Sequence, residues 1–299
     1  MQKSQRGLCV DNGAGPVTFR PMTTTTTATT TTTTKSTLEP TADPSAGAGA
    51  TAAPGNLDAA EVARFQALAK AWWDPTGKFR PLHQIGPARL TFVRDEIKRH
   101  FGRDSDGLRP LQDLRIIDVG CGGGLMSEPL SRLGARVTGI DPGERNIAIA
   151  QDHAAGQGLI IDYRATTAEA LVAEGELFDA VVCLEVVEHV PDVAAFVATC
   201  AALVRPGGLL VLSTINRTLK AYALAIVGAE YVLGWLPRGT HQWERFVTPD
   251  ELARHVTAAG LSAPRFSGFV YNPLRDAWSL SSDTDVNYLA SAAKPPAPR

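Results

Sequence analysis

Ile116-Ile-Asp-Val-Gly-Cys-Gly-Gly-Gly124 runs as an apolar strand that breaks into glycines, and Gly139-Ile-Asp141 follows one helix-length later. Strand, glycine turn, helix, strand, carboxylate is the order of a nucleoside-binding unit. Glycines permit conformations and close approaches that a side chain forbids, and a carboxylate ending the second strand can receive ribose hydroxyls. Asp141 arrives at about the spacing of 20 residues that such a unit needs. A glycine-rich strand–helix turn with no ligand is the plainer alternative.

The kind of nucleoside follows from the glycine spacing. A dinucleotide fingerprint needs Gly-x-Gly-x-x-Gly. Started at Gly120, that template puts Leu125 at the third glycine; started at Gly122, it puts Ser127 there. The third glycine allows close helix–strand packing over a pyrophosphate, so its absence counts against NAD and FAD. Asp118, at the strand end, suits a cationic ligand such as the ammonium and sulfonium of S-adenosylmethionine better than a polyphosphate.

The 299 residues are 44% hydrophobic and 20% charged, enough for one substantial core with appendages. A formal net charge of −2 gives no nucleic-acid footprint. Cys9, Cys121, Cys183 and Cys200 show no metal or disulfide spacing, which fits a reducing compartment. Cys121 reads as a small filler of the glycine turn. No stretch has the layout of a secretory signal.

Residues 1–56 differ in composition from the rest, with threonine runs at Thr23–Thr27 and Thr29–Thr34 followed by Ala, Gly and Pro. So little apolar surface cannot offset the entropy of ordering, and a disordered tail is expected. Lys3, Arg6, Arg20 and Lys35 in an acid-poor segment leave an organelle-targeting peptide open, and Met22 could be the true start. The remaining domain, 57–299, opens with a helical cap over 57–105. Its first helix has Asp58 as N-cap and Val62, Phe65, Leu68 and Trp72 on one stripe. A second helix is expected to open around Pro87 and close at Gly102.

From Leu114 onward strands and helices alternate. Strands are expected at Arg115–Val119, Arg136–Ile140, Ile160–Arg164, Phe178–Leu184 and Leu209–Thr214. Helices are expected near Met126–Leu133, Glu144–Ala155, Ala168–Ala173 and Val193–Val204. Near-continuous apolar strands indicate a parallel α/β sheet with helices on both faces. Later strands at about Ala263–Tyr271 and Asp285–Ala290 bring the sheet to seven, mostly parallel, the last open to an antiparallel direction.

Asp118-Val-Gly-Cys-Gly-Gly-Gly124, Gly139-Ile-Asp141, Phe178-Asp-Ala-Val-Val-Cys-Leu-Glu-Val-Val-Glu-His-Val190 and Leu203-Val-Arg-Pro-Gly-Gly208 together resemble the Rossmann-like class I S-adenosylmethionine-dependent methyltransferases. Trp72-Trp73-Asp74, Phe79-Arg-Pro-Leu-His83, Pro87-Ala-Arg-Leu90, Ser213-Thr-Ile-Asn-Arg217, Val227-Gly-Ala-Glu-Tyr231, Pro237-Arg-Gly-Thr-His241, Tyr271-Asn-Pro273 and Asp285-Val-Asn-Tyr288 narrow that resemblance to the O-methyltransferases of ubiquinone biosynthesis. It runs from about Leu57 to Ala293 and leaves the tail without a counterpart. It implies O-methylation of a polyprenylated catechol or demethylubiquinol at two steps, with S-adenosyl-L-methionine as cofactor. The implied cofactor contacts are Arg89, Gly120 with Gly122 of the same turn, Asp141 and Leu184, where some relatives carry Met. Leu keeps an apolar wall against adenine. Arg89 suits the methionine carboxylate, which a guanidinium fork can grip.

Methyl transfer from a sulfonium is an in-line displacement, so catalysis is mostly positioning. The acceptor phenol, with a pKa near ~10, must also give up its proton. Glu185, Glu188 and His189, just after the fourth strand, offer two routes: a Mg²⁺ site made by all three, or His189 as general base. The resemblance also points to the three as a metal site; a solvated helix start is the plainer alternative. His83 and His241 match the family pattern without an assigned role beyond lining the acceptor side. Trp72 and Trp73 read as core anchors.

Leu219–Leu236, within an insertion at 219–241, is nearly all apolar, with Lys220 and Glu230 its only charges. It is short for a span of about 20 residues. Its two charges fall on one side at helical pitch, and Tyr222, Tyr231 and Trp235 suit a headgroup level. An in-plane membrane helix is expected, with a buried active-site cover as the alternative. Expected partners are a prenylated quinone precursor, anionic membrane lipids and other quinone-biosynthesis enzymes, with no nucleic acid. The expected place is the cytoplasmic face of a bacterial inner membrane, with the mitochondrial matrix side as the alternative. A catalytically dead cofactor-binding scaffold is the non-enzymatic alternative.

Overall fold

Alternate residues of the central strands bury on opposite faces of one sheet. In the computed structural model, which describes residues 56–103, 107–223, 243–272 and 277–298, Ile117, Val181, Cys183, Leu210 and Leu212 join one apolar cluster. Their neighbours Ile116, Ala180, Val182, Leu209 and Val211 join a second. Both faces are therefore dry, which is why these strands carry no polar alternation.

The helices are α1 (Ala59–Ala67), α2 (Arg80–His100), α3 (Ser127–Arg132), α4 (Glu144–Gly156), α5 (Ala168–Ala173), α6 (Val193–Leu203), the single turn α7 (Leu219–Ala221) and α8 (Pro249–Ala258). The strands are β1 (Arg115–Val119), β2 (Arg136–Asp141), β3 (Asp162–Ala165), β4 (Phe178–Leu184), β5 (Val204–Ile215), β6 (Arg265–Asn272), β7 (Ala277–Ser281) and β8 (Asn287–Ala293). Helices α6 and α8 bury against the first cluster, through Phe196, Val197, Leu252 and Val256. Helices α2 and α3 bury against the second, through Phe92, Val93, Ile97 and Leu130.

The strand order is β3-β2-β1-β4-β5-β8-β6-β7. β1 to β5 are mutually parallel, β8 is antiparallel to β5 and β6, and β7 is antiparallel to β6. The expected seven-stranded sheet is thus corrected to a mixed eight-stranded one. The added strand, β7, is half-buried with alternating exposure, so it lacks the continuous apolar run of the core strands.

Helix α2 also departs from expectation. It begins at Arg80, with Pro81 in its first turn, and Pro87 lies inside it. Both prolines satisfy the start signal, and only the earlier one marks the start. Asp58 caps α1 as expected, accepting from the Ala60 and Glu61 N–H groups. Most of the expected tail, residues 1–55, lies outside the described residues, as do 224–242 of the insertion, with Tyr231, Trp235 and His241. Among the described residues, no helix is long and apolar enough to cross a membrane.

Candidate active site

The parallel half places its acids where the strands end. Leaving β1, the backbone turns through Gly120 and Gly122 at φ 74° and 52°, a region that favours glycine. The Gly120 and Cys121 N–H groups donate to the Ile140 carbonyl at 2.8 and 2.9 Å, pinning the turn to β2. The glycines make room chiefly for the protein itself. A Cβ on Gly122 would lie 2.4 Å from Trp72, and one on Gly120 would lie 2.5 Å from Val186.

Asp141 ends β2 facing that turn. Its carboxylate accepts from the Gly122 N–H at 3.2 Å, the Gly143 N–H at 2.7 Å and the Asn146 Nδ2 at 3.0 Å. Burial raises its pKa although all three donors oppose the rise. An ionised carboxylate has about four acceptor positions, so it keeps capacity for a ribose hydroxyl. Asn146 also accepts from the Trp72 Nε1 at 3.0 Å, linking the Asp141 carboxylate to the aromatic residue packed over the turn. Trp72 stacks on Phe79 with centroids 3.9 Å apart. The Trp73 Nε1 donates to the Gly123 carbonyl at 2.9 Å, and His83 bonds the Trp72 carbonyl at 2.8 Å. The two tryptophans are anchors of the turn, as expected, and His83 holds one of them in place.

Asp118 is buried at the end of β1 and accepts from the Ser127 hydroxyl at 2.6 Å. Burial, with the nearby Asp141 charge, pushes its pKa up to about 6. Two acids on adjacent strand ends make the turn a place for positive charge.

Beyond β4 the chain is held by side chains. Glu185 sits at φ 55°, uncommon for a residue with a Cβ. Its N–H donates to the Ser213 carbonyl at 3.1 Å, and its carboxylate accepts from the Ser213 hydroxyl at 2.7 Å. Glu185 also pairs with Arg89 of α2 at 3.0 Å. Arg89 is 7% exposed, and its Nε is buried without a partner. Glu188, 3% exposed, accepts from the Thr214 hydroxyl at 2.8 Å through one oxygen, and its other oxygen is buried without a partner. Burial and the charge of Glu185 raise its pKa to about 7.

The His189 Nδ1 lies 2.9 Å from a carboxylate oxygen of Glu61 on α1. Burial pulls the imidazole pKa down, but the Glu61 hydrogen bond and the charges of Glu188 and Glu61 outweigh it and raise it overall.

The expectation that Glu185, Glu188 and His189 hold Mg²⁺ therefore does not fit this arrangement. Glu185 contacts Arg89 and Ser213, His189 contacts Glu61, and Glu188 contacts Thr214 through one oxygen while its other oxygen stays unpaired. Among the described residues no three His, Cys, Asp or Glu side chains are placed to hold a metal ion.

Arg89, Gly120, Gly122, Asp141, Leu184, Glu185, Glu188 and His189 all line one cavity of about 1190 Å³. Leu184, at the end of β4, gives it an apolar wall. Phe269, Tyr271 and Trp278 of the β6–β7 hairpin, with Glu61 and Phe65 of α1, line it as well. Sequence reasoning passed over Glu61, Asn146, Ser213 and Thr214 as members of the site. Glu61 lies one helical turn before Phe65, and both line the cavity.

Known proteins sort with this geometry. A methyltransferase-domain family model matches residues 86–263. The chain is 57% identical over 243 residues to a protein of Parvibaculum lavamentivorans named ubiquinone biosynthesis O-methyltransferase, covering 81% of this chain and 96% of that one. It is 56% identical over 239 residues to a protein of the same name from Sinorhizobium medicae, covering 80% and 96%. Among solved structures, magnesium protoporphyrin IX methyltransferase from Synechocystis PCC 6803 with bound S-adenosylhomocysteine matches with a TM-score of 0.54. That match covers 78% of this chain and 94% of the other at 20% identity, a likeness of fold.

Proposed function

The chain belongs to the ubiquinone biosynthesis O-methyltransferases, and we propose that it methylates a phenolic oxygen of a prenylated catechol and of a demethylubiquinol at two steps of that synthesis. Its methyl donor is S-adenosylmethionine. One observation carries the site assignment: Asp141 and His189 open on the same cavity of about 1190 Å³. A single small-molecule pocket takes about 300–1,000 Å³. This one has room for cofactor and aromatic acceptor together.

When bound, S-adenosylmethionine supplies an electrophilic methyl group on a cationic sulfur. Asp141 receives ribose hydroxyls with the oxygen capacity its three donors leave. Arg89, with a buried Nε still unpaired, holds the methionine carboxylate, and Leu184 packs on the adenine. Gly120 and Gly122 shape the turn, and Asp118 adds negative potential beneath it. On the acceptor side His189 keeps Nδ1 on Glu61, which leaves Nε2 as the proton acceptor of the neutral imidazole. As the phenolic oxygen bonds to the methyl carbon, Nε2 takes the phenol proton. The carbon–sulfur electron pair stays on sulfur, and the imidazolium passes the proton to water.

The same reading places the chain at a cytoplasmic membrane surface, where the segment that opens at Leu219 meets anionic lipid and the prenylated acceptor arrives from the bilayer. Its first turn supports this: Leu219 is 82% exposed and Tyr222 45%. Contact with other enzymes of the route belongs to the same proposal.

The test is mass spectrometry of products after incubation with S-adenosylmethionine and a short-chain prenyl catechol. One added methyl on oxygen is expected, with the prenylated acceptor turned over faster than its unprenylated parent. No methylated product would overturn the proposal.

A further inference from the structure

We propose that Glu61 is the positioning residue for His189, a carboxylate that reaches the imidazole from a helix preceding the nucleotide-binding fold. The proposal rests on the reading of His189 as the base.

The Glu61 carboxylate oxygen that faces His189 Nδ1 at 2.9 Å also accepts from Arg64 at 2.6 Å. Each of the two paired side chains, Glu61 and His189, is 15% exposed, so the bond is largely shielded from water. Phe65, one turn further along α1, meets the His189 ring edge-on at 82° and 5.5 Å, which restricts rotation of the ring. A carboxylate on Nδ1 fixes the tautomer, opposes flipping of the ring and stabilises the imidazolium formed when Nε2 takes a proton.

Independent contacts hold α1 against the His189 turn. Asn56 accepts from the Asp192 N–H at 2.8 Å and donates back to the Asp192 carbonyl, so its amide grips the chain three residues past His189. Asp58, while capping α1, pairs with Arg245 at 3.1 Å. The helix thus stays seated without the Glu61–His189 bond, and the carboxylate is spare for orientation.

The test is a double-mutant cycle in the full chain, measuring methylation of a short-chain prenyl catechol, with S-adenosylhomocysteine calorimetry reporting the fold. Glu61→Ala should lower kcat by about tenfold to a hundredfold while acceptor KM and S-adenosylhomocysteine affinity stay within about twofold. Glu61→Gln, whose amide oxygen can still accept from Nδ1 but carries no charge to stabilise the imidazolium, should recover only part of the loss. In a His189→Ala background, adding Glu61→Ala should change kcat by less than about twofold, because two residues acting as a unit are not additive. Full activity in Glu61→Ala, or the same loss repeated in full without the imidazole, would overturn the positioning role while leaving His189 as base. Wild-type kcat in His189→Ala would overturn the base reading itself, and Glu61 with it.

Discussion

The two sides of the cavity are built by different means. On the cofactor side, the glycine turn and Asp141 stand at the ends of adjacent parallel strands, and backbone N–H groups from Gly120 to Gly143 fix their positions. On the acceptor side, Glu185, Glu188 and His189 are held by side chains from α2, β5 and α1, segments far apart in the chain. A site fixed by strand register keeps its geometry without a ligand; one assembled from side chains depends on each of its partners.

The strongest way to break that contrast is Asp141→Ala. It removes the proposed ribose acceptor and leaves three donors facing a gap. Hydrogen bonds to a charged group are worth about 1.5–3 kcal/mol each, so S-adenosylhomocysteine affinity should fall by about a hundredfold or more. Calorimetry giving wild-type affinity would remove Asp141 from the ribose site.

Asp118→Asn sharpens the contrast by taking charge from the cofactor side without changing shape. Its folded pKa of about 6 lies above the ordinary 3.8. A raised carboxylate stabilises the fold below the lower value, and that stability is lost as pH rises through the upper one. The difference of about 2.2 units corresponds to about 3 kcal/mol. Urea denaturation should therefore show the neutral variant gaining stability over the wild type between about pH 4 and 6 and holding the gain above. A pH-independent difference would refute that assignment.

The smallest expected effect concerns the acceptor side. Because His189 is held above its usual pKa, kcat should rise with pH as the imidazole loses its proton, with a midpoint above about 6.5. Glu61→Gln should move that midpoint down. A flat profile from pH 6 to 8 would separate the imidazole from proton removal.

The same contrast governs what the sequence discloses. β1, its glycine turn, β2 and Asp141 lie within one short stretch, and their local pattern is also their geometry. The continuous apolar runs of β4 and β5 reported burial on both faces. β7 escaped notice because it is short and half-exposed, although Trp278 and Leu280 alternate as strand residues do. Pro87 misplaced the start of α2, since proline in a first turn and proline inside a helix look alike until the preceding turn is known. The bond from Glu61 to His189, and the Asn146 brace between Trp72 and Asp141, are tertiary pairings with no periodic trace. Glu185, Glu188 and His189 are near neighbours in the chain, and the contacts that Arg89, Thr214 and Glu61 make with them are tertiary in the same way.

Trp72 over the glycine turn also constrains how the protein is made. Phe65, Trp72 and Phe79 leave the ribosome before any strand of the sheet exists, while Gly122 and Asn146, which receive Trp72, are still untranslated. At synthesis rates of roughly 5–20 residues per second, that aromatic surface waits several seconds for its seat. Newborn chains are therefore sticky at their leading end, and a chaperone that shields aromatic segments should raise the yield of folded enzyme.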